Sequence, residues 1–260
     1  MAANLLETSI QQGRFAGMIK ILRFNWPQYM YGTATILTAL MIATIAPLPK
    51  WLEWPLLTGA SCVAFWLLTS LVVSHYVYDV SPLCRWDWIR RLFAESPQRW
   101  INIHMGLDDA TPALRRMFPE SSGRVLDAFD GREMTEPSIH RARRLATNAE
   151  TAESVEFANL SAATAACDAV FLLFSAHEIR RRESQSLFFA ELSRIVRPGG
   201  AVLLVEHLRD GWNFLAFGPG CWHFWPARRW TALAEAAGFA VERRDSITPF
   251  VAVFLVRRKP

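Results

Sequence analysis

The sequence predicts an α/β domain with a doubly wound, mostly parallel seven-stranded sheet, preceded by an N-terminal two-helix transmembrane hairpin. Residues 24–49 and 54–78 contain no Asp, Glu, Lys or Arg, which indicates the hairpin. Residues 169–174 and 201–205 are continuous apolar runs, typical of parallel strands that are covered on both faces. Apolar residues between these two runs recur with the period of a helix, and alternating strands and helices indicate a parallel sheet.

The two charge-free stretches are each near the roughly 20 residues that a helix needs to cross a membrane. Aromatic residues lie at their ends, as at membrane interfaces: Tyr29, Tyr31, Trp51, Trp54, Tyr76 and Tyr78. Basic residues precede the first stretch and follow the second, so the positive-inside rule places both termini in the cytoplasm. A pair of buried helices in a soluble protein is the alternative.

We therefore expect an integral protein of the inner (cytoplasmic) membrane with its globular domain in the cytoplasm. The expected segments are an amphipathic, interfacial N-terminus (1–30), the transmembrane hairpin (31–78), a juxtamembrane connector (79–98) and the globular domain (99–260). Association through the transmembrane helices, as a homo-oligomer or in a biosynthetic complex, stays open.

Charge and cysteine spacing exclude several classes of function. The formal net charge is +4, and the basic residues cluster beside the charge-free stretches, which favours anionic lipid headgroups over nucleic acid as a partner. The four cysteines show no C-x-x-C spacing, so neither a disulfide framework nor a zinc site is predicted. His177-Glu178-x-x-Arg181 lacks the second histidine of a zinc protease motif, and no metal is predicted there.

The strands and helices of the globular domain are predicted from the spacing of apolar residues and from turn residues. Strands are predicted at residues 100–105, 124–129, 155–158, 169–174 and 201–205, with a closing hairpin at 240–244 and 250–256. Helices are predicted at residues 110–118 and 136–145, between the fourth and fifth strands, and before the closing hairpin.

The second half of the chain has a recognisable order of motifs. Asp168 opens an apolar strand, His177 lies in the following loop, the next helix closes in Arg197-Pro-Gly-Gly, and Glu206 ends the next strand. This order resembles the class I S-adenosylmethionine-dependent methyltransferases. The resemblance covers roughly residues 99–258, is strongest after Asp168, and implies a Rossmann-like fold with S-adenosylmethionine as the cofactor.

The resemblance is weaker at the expected cofactor site. The family's first strand ends in an acid and a glycine-rich turn, whereas this chain has Asn102 in place of the acid and keeps one glycine, Gly106. The resemblance implies that Asn102, His104, Gly106 and Asp108 contact the cofactor. A degenerate, non-catalytic domain is the alternative.

The remaining cofactor contacts are expected after the second, third and fourth strands. A carboxylate after the second strand would accept hydrogen bonds from both ribose hydroxyls, and Asp127 and Asp130 are both available, with spacing slightly in favour of Asp130. Asn159 stands where the family often has an acid near the adenine, and Ser175 follows the fourth strand.

His177 is the predicted general base, because imidazole titrates near neutral pH, and Glu178 would orient it or hold a substrate hydroxyl. A histidine that merely caps the next helix is the alternative. Glu206, His207 and His223 are candidate substrate contacts. His223 lies in a segment rich in glycine and aromatic residues, 217–225, that is suited to covering an apolar acceptor or to packing on a membrane surface.

These observations predict a membrane-anchored methyltransferase (EC 2.1.1) that acts at the cytoplasmic face. A membrane anchor favours a lipophilic acceptor, such as an aromatic or polyketide lipid or a quinone precursor, methylated on oxygen or carbon. A phospholipid N-methyltransferase is one alternative. The other is a non-catalytic, methyltransferase-like scaffold subunit of a membrane biosynthetic complex, which the missing glycines would explain.

Overall fold

The computed structural model describes residues 13–146 and 151–260. Within these ranges the chain forms two compact units. One is helical and extends to Cys84, together with Leu215–Gly218; the other contains the sheet and comprises Arg85–Phe214 and Pro219–Pro260. The first twelve residues of the predicted interfacial segment lie outside the described residues.

The helical unit consists mainly of helix α1 (Ala16–Ile45) and helix α2 (Lys50–His75). The two helices run antiparallel. A Cβ atom on Gly32 would lie 2.9 Å from Leu67 Cδ1, and the hydroxyl oxygens of Tyr29 and Ser70 are 2.9 Å apart. Helix α1 leaves helical geometry at Asn25 (φ −114°), just before Pro27, which lacks the N–H that an internal helical hydrogen bond requires.

Asp79 satisfies the first backbone groups of α1. Its carboxylate accepts hydrogen bonds from the N–H groups of Gly17 (2.6 Å) and Met18 (3.0 Å), which have no partner within the helix. A negative charge at a helix N-terminus also interacts favourably with the helix dipole. Asp79 therefore fixes the start of α1 against the turn that follows α2.

One helix among the described residues is long and apolar enough to cross a membrane. It spans Lys50–Val80, and its most apolar stretch has a mean hydropathy of 2.0 and is 6% buried. Large apolar side chains of α2, among them Trp51, Trp54 and Leu68, are exposed. Helix α1 is not apolar enough by the same measure of length and mean hydropathy, so the two-helix transmembrane hairpin stays a prediction.

Seven strands of the second unit form one sheet in the order β3-β2-β1-β4-β5-β7-β6. The strands are β1 Arg99–His104, β2 Ser122–Asp127, β3 Glu153–Ser154, β4 Cys167–Leu173, β5 Val196–Glu206, β6 Phe239–Thr248 and β7 Val251–Arg258. Strands β1 to β5 pair in parallel, and β7 lies antiparallel to both β5 and β6. The predicted mostly parallel, seven-stranded sheet is confirmed.

In the part of the chain that the structure describes, five α-helices accompany the strands: α3 Thr111–Met117, α4 Pro137–Leu145, α5 Arg182–Ile195, α6 Gly211–Phe217 and α7 Ala227–Ala236. Helix α5 buries Phe188, Leu192 and Ile195, the apolar face that its sequence period predicts. It stops at Ile195, and β5 begins at the next residue. Helix α4 starts with Pro137, whose missing N–H costs nothing in the first turn.

Some strand boundaries differ from the predictions. Strand β3 was expected at 155–158 but occupies Glu153–Ser154, because the chain turns immediately afterwards and Asn159 N–H bonds the Glu156 carbonyl at 2.9 Å. Strand β5 begins at Val196 rather than 201, because Val196 already pairs with Cys167 of β4; the glycine turn, with Gly199 at φ +72°, shifts the register before pairing resumes at Ala201. Strand β6 runs to Thr248 rather than 244, and its partner β7 is correspondingly long.

The carboxyl ends of β1, β2, β4 and β5 lie at one edge of the sheet. His104 and Asp127, the last residues of β1 and β2, are paired in register. β4 ends at Leu173 and β5 at Glu206. In doubly wound sheets ligands bind outside this edge. A ligand is therefore expected at the loops and side chains of these four strand ends.

Candidate active site

The loop after β1 is held by a network around Asn102. Its side-chain amide donates to Asp108 Oδ1 at 3.1 Å and to Thr111 Oγ1 at 2.8 Å. Asp108 Oδ1 also accepts the N–H groups of Ala110 and Thr111 at the start of α3. These contacts give Asn102 and Asp108 a structural role in shaping the loop, beside the cofactor role implied by the resemblance.

Gly106 lies in that loop with φ +109°, a conformation that favours glycine. A Cβ atom here would lie 2.1 Å from Arg143 Nη1 and 2.3 Å from Arg143 Cγ. The guanidinium of Arg143 also donates to both carboxylate oxygens of Asp127, at 2.9 and 2.8 Å. It lies 4.1 Å from the centre of the Phe129 ring. Arg143 thus fills the space between the end of β2 and the loop after β1.

His104 is buried beside this loop. Its Nδ1 accepts the Gly106 N–H at 2.9 Å, while its Nε2 is buried without a hydrogen-bond partner among the described residues. Burial lowers the pKa of His104 and outweighs the opposing charges of Asp127 and Asp108. The ring is therefore neutral at neutral pH, as its acceptor role at Nδ1 requires.

The other predicted cofactor residues, Asp127, Asp130, Ser175 and Asn159, differ in how close they lie to the strand ends. Asp127 ends β2 at the same edge as Gly106, whereas Asp130 lies beyond the strand and accepts the Arg132 N–H at 2.8 Å. This geometry leads us to favour Asp127 over Asp130, and the identity of the ribose-binding carboxylate stays a prediction. Ser175 is buried and bonds the Ile103 carbonyl at 2.9 Å, which ties β4 to β1. Asn159 is exposed in the turn after β3.

A second group of side chains lies at the ends of β4 and β5. His177 and Glu178 follow β4 in a short 3₁₀ turn, Ala176–Glu178, and His223 ends a 3₁₀ segment, Gly218–His223. His177 Nδ1 lies 2.6 Å from Glu206 Oε2, and its Nε2 lies 3.3 Å from Glu178 Oε1. The rings of His177 and His223 are 5.2 Å apart, centre to centre. We call His177, Glu178, Glu206 and His223 the histidine–glutamate cluster.

The two carboxylates control the protonation of His177. Burial favours the neutral ring, but the charges and hydrogen bonds of Glu206 and Glu178 outweigh it and raise the pKa of His177 to about 10. Burial and the neighbouring His177 lower the pKa of His223 to about 4. In this state His177 carries a proton at neutral pH and donates to both carboxylates. The predicted role as a general base requires a ring that has lost this proton.

Two predicted substrate contacts, Glu206 and His207, are buried and hydrogen-bonded within the protein. Glu206 has no exposed surface and bonds both the backbone N–H and the ring of His177, so we assign it to orienting His177. His207 is buried between the rings of Phe174 and Phe224, with Nδ1 2.8 Å from the Phe250 carbonyl. Burial lowers its pKa to about 4, which fits a structural, neutral ring.

Three charged residues of the site were not predicted. Arg143 lies on the helix after β2, where its pairing with Asp127 depends on the fold rather than on any motif. Glu136 lies 3.5 Å from His223 Nδ1. Arg180 donates to the carbonyls of His177 and His223. Arg180 lies two residues after Glu178 of the predicted catalytic pair. This proximity is the one sequence signal that could have identified it.

The residues at the ends of β1 and β2 fit S-adenosylmethionine in their chemistry. The absence of a Cβ at Gly106 leaves a cradle that the Arg143 side chain occupies, and the carboxylate of Asp127 is an acceptor suited to two ribose hydroxyls. Both positions are currently in contact with Arg143, a side chain that is 31% exposed. The cradle therefore fits the cofactor once Arg143 has moved aside.

Comparison with known proteins agrees with this geometry. Residues 122–204, from β2 to β5, match the methyltransferase domain family. A comparison with curated protein sequences finds no match. The match to the family supports S-adenosylmethionine as the cofactor and a class I methyltransferase domain.

Two solved structures show the same fold. One is an S-adenosylmethionine-dependent methyltransferase from Aquifex aeolicus, with a TM-score of 0.51 and 14% identity, covering 70% of this chain and 96% of that one. The other is the pyocyanin biosynthetic protein PhzM, with a TM-score of 0.53 and 15% identity, covering 93% of this chain and 72% of that one. At these identities the likeness concerns the fold alone.

Proposed function

We propose that the chain is a membrane-anchored methyltransferase that transfers the methyl group of S-adenosylmethionine to a lipophilic acceptor at the cytoplasmic face of the membrane. The observation that carries the methyltransferase part is the family match over β2 to β5, which contains Asp127 and the His177-Glu178 pair. When bound, S-adenosylmethionine supplies a methyl group on a sulfonium, which is already a good electrophile.

The chain's own residues then have two tasks, binding and positioning. Asp127 would accept hydrogen bonds from the ribose, and the open backbone of Gly106 would allow close approach of the rest of the cofactor. The histidine–glutamate cluster, at the ends of β4 and β5, would hold the acceptor in line with the methyl group. Holding two reactants in this way removes much of the entropic cost of a bimolecular reaction.

Exposed aromatic side chains in the segment that leads to His223 support a lipophilic acceptor. Trp212, Phe214 and Trp222 are 59%, 41% and 61% exposed, and Trp222 directly precedes His223 of the cluster. Three large aromatic side chains on one short segment are suited to an apolar ligand or to the headgroup region of a bilayer. An aromatic or polyketide lipid or a quinone precursor, methylated on oxygen or carbon, is the acceptor class that we favour.

Cofactor binding is tested by calorimetry with S-adenosylhomocysteine, the product form of the cofactor. Asp127→Asn should weaken binding by about 1.5–3 kcal/mol, or about 10- to 150-fold, the scale of hydrogen bonds to a charged group. Asp130→Asn is the matched control and should change affinity less than about twofold, because Asp130 closes its own turn. Absence of binding by the wild-type protein would favour a non-catalytic scaffold.

The membrane anchor is supported by the apolar, exposed helix at Lys50–Val80 and by basic residues on both sides of the two charge-free stretches. Reporter fusions after residue 50 and at the C-terminus should report opposite sides of the membrane. Reports from the same side, or a protein that stays in solution without detergent, would contradict the proposed two-span anchor.

A further inference from the structure

We propose that His177, Glu178 and His223 form a binding site for one divalent transition-metal ion. One ligand atom from each residue, an imidazole nitrogen or a carboxylate oxygen, lies within 4.8 Å of the other two. Two histidines and one carboxylate are the protein ligands of catalytic zinc sites that keep a position open for substrate, and the same set serves Fe²⁺ in other enzymes.

The surroundings of the two histidines support metal ligation. Glu206 Oε2 lies 2.6 Å from Nδ1 of His177 and leaves Nε2 directed toward Glu178. Glu136 lies 3.5 Å from Nδ1 of His223. Metal-binding histidines usually donate their second ring N–H to a carboxylate in this way, which fixes the tautomer and orients the ring. His177 has such a partner in Glu206, and Glu136 is the carboxylate near enough to His223 to become one.

An unpartnered atom points to the same ligand. Glu178 is only 7% exposed, and its Oε2 atom has no hydrogen-bond partner among the described residues. A buried carboxylate oxygen without a partner is costly unless a cation or a donor occupies the site. Three carboxylates, those of Glu178, Glu206 and Glu136, surround the two imidazoles, and the site therefore favours a dication.

A small movement would complete the coordination. Ligand atoms around a tetrahedral zinc ion are about 3.4 Å apart, given Zn–N and Zn–O distances near 2.1 Å. Nε2 of His177 and Oε1 of Glu178 are already 3.3 Å apart. His223, which is half-buried at the end of a short 3₁₀ segment, is the ligand that must approach.

The ion would define the acceptor as an oxygen nucleophile. This assignment of the acceptor rests on the proposed methyltransferase function. A hydroxyl bound at the open position loses its proton to water, because the metal lowers the hydroxyl pKa. The oxygen's electron pair then forms the O–C bond, and the C–S bond breaks with its pair on sulfur, which leaves a neutral thioether. The acceptor class is thus a lipid bearing a phenol or an enol.

The test uses the full-length protein in detergent, stripped with a chelator and titrated with Co²⁺, whose visible absorption reports nitrogen and oxygen ligation. We expect about one equivalent of Co²⁺, displaced by Zn²⁺, with affinity reduced more than about 100-fold in His223→Gln and Glu178→Gln, since loss even of a partner of a ligand costs about 10- to 100-fold. His140→Gln, which removes an imidazole on α4, is the matched control and should bind as the wild type does.

The outcomes separate the two proposals. No Co²⁺ absorption in the wild-type protein, or equal absorption in His223→Gln, overturns the metal site. Circular dichroism shows whether each variant is folded, and calorimetry with S-adenosylhomocysteine on the same samples tests the cofactor site independently. Co²⁺ binding without S-adenosylhomocysteine binding would retain the metal site and reject the methyltransferase function, whereas the reverse result would reject the metal site alone.

Discussion

Arg143 is the side chain that we expect to compete with the cofactor. Its guanidinium donates to both oxygens of Asp127, and its aliphatic part fills the space in front of Gly106. The carboxylate of Asp127, which we propose binds the ribose, and the cradle at Gly106 are both occupied while Arg143 keeps this position. Binding of S-adenosylmethionine must therefore break the contacts of Arg143, and the free energy of those contacts is subtracted from the affinity.

The size of this penalty follows from the contacts. Hydrogen bonds to a charged group contribute about 1.5–3 kcal/mol. The side chains of Arg143 and Asp127 are 31% and 17% exposed, so solvent screening reduces the pair to about 1 kcal/mol. The contact with the Phe129 ring, at 4.1 Å, adds about 0.5–1 kcal/mol. A total of about 1.5–2 kcal/mol corresponds to about 10- to 30-fold in Kd.

Arg143→Ala should therefore tighten S-adenosylhomocysteine binding by about 10- to 30-fold in calorimetry. Arg144→Ala is the matched control, because Arg144 is exposed on the same helix and carries the same charge; its effect should stay below about twofold. Unchanged binding by Arg143→Ala would mean that Arg143 does not compete with the cofactor, and weaker binding would mean that Arg143 contacts it. Either result would refute the reasoning.

Three further predictions concern other buried groups. Burial, with the charge of Asp168, raises the pKa of Cys167 to about 12, so iodoacetamide should alkylate the exposed Cys84 and leave Cys167 intact in the folded protein; equal labelling of both would contradict this. Burial lowers the pKa of His104, so its contribution to stability is complete above the ordinary histidine pKa of about 6.5 and is lost as the pH falls below it. The fall in melting temperature from about pH 7.5 to about pH 5.5 should thus be smaller in His104→Asn, which can still accept the Gly106 N–H; an equal fall would exclude this role. Gly106→Ala should destabilise the domain by about 1–3 kcal/mol through its positive φ and its clash with Arg143, and adding Arg143→Ala should restore only the part due to the clash, as thermal unfolding would show.

The sheet could be predicted because its signals are local. The apolar runs of β4 and β5 and the apolar face of α5 are each readable within one element, and burial of both strands follows from them. Strand β3 is different: two residues at a sheet edge have no period to recognise, and its position depends on pairing with Leu126 and Asp127 of β2. Strand ends depend in the same way on the length of the partner strand.

The site could be predicted only in part. His177, Glu178 and Gly106 are marked by their positions after strands, so sequence reasoning found them. Our preference for Asp127 over Asp130 rests on the register of β2 with β1, which the spacing of residues in the sequence does not reveal. The pairing of His177 with Glu206 and its approach to His223 join residues far apart in sequence, and no spacing motif predicts them.

Transfer of a labelled methyl group from S-adenosylmethionine into a membrane lipid extract is the most direct test of the proposed function. The full-length protein, reconstituted with the lipid extract of its native membrane, should move the label into the organic phase, where mass spectrometry should find one lipid carrying one added CH₂. Asp127→Asn should lose most of this transfer, and Asp130→Asn should retain it. A protein that binds S-adenosylhomocysteine yet leaves the lipid extract unlabelled would contradict the claim of a lipophilic acceptor.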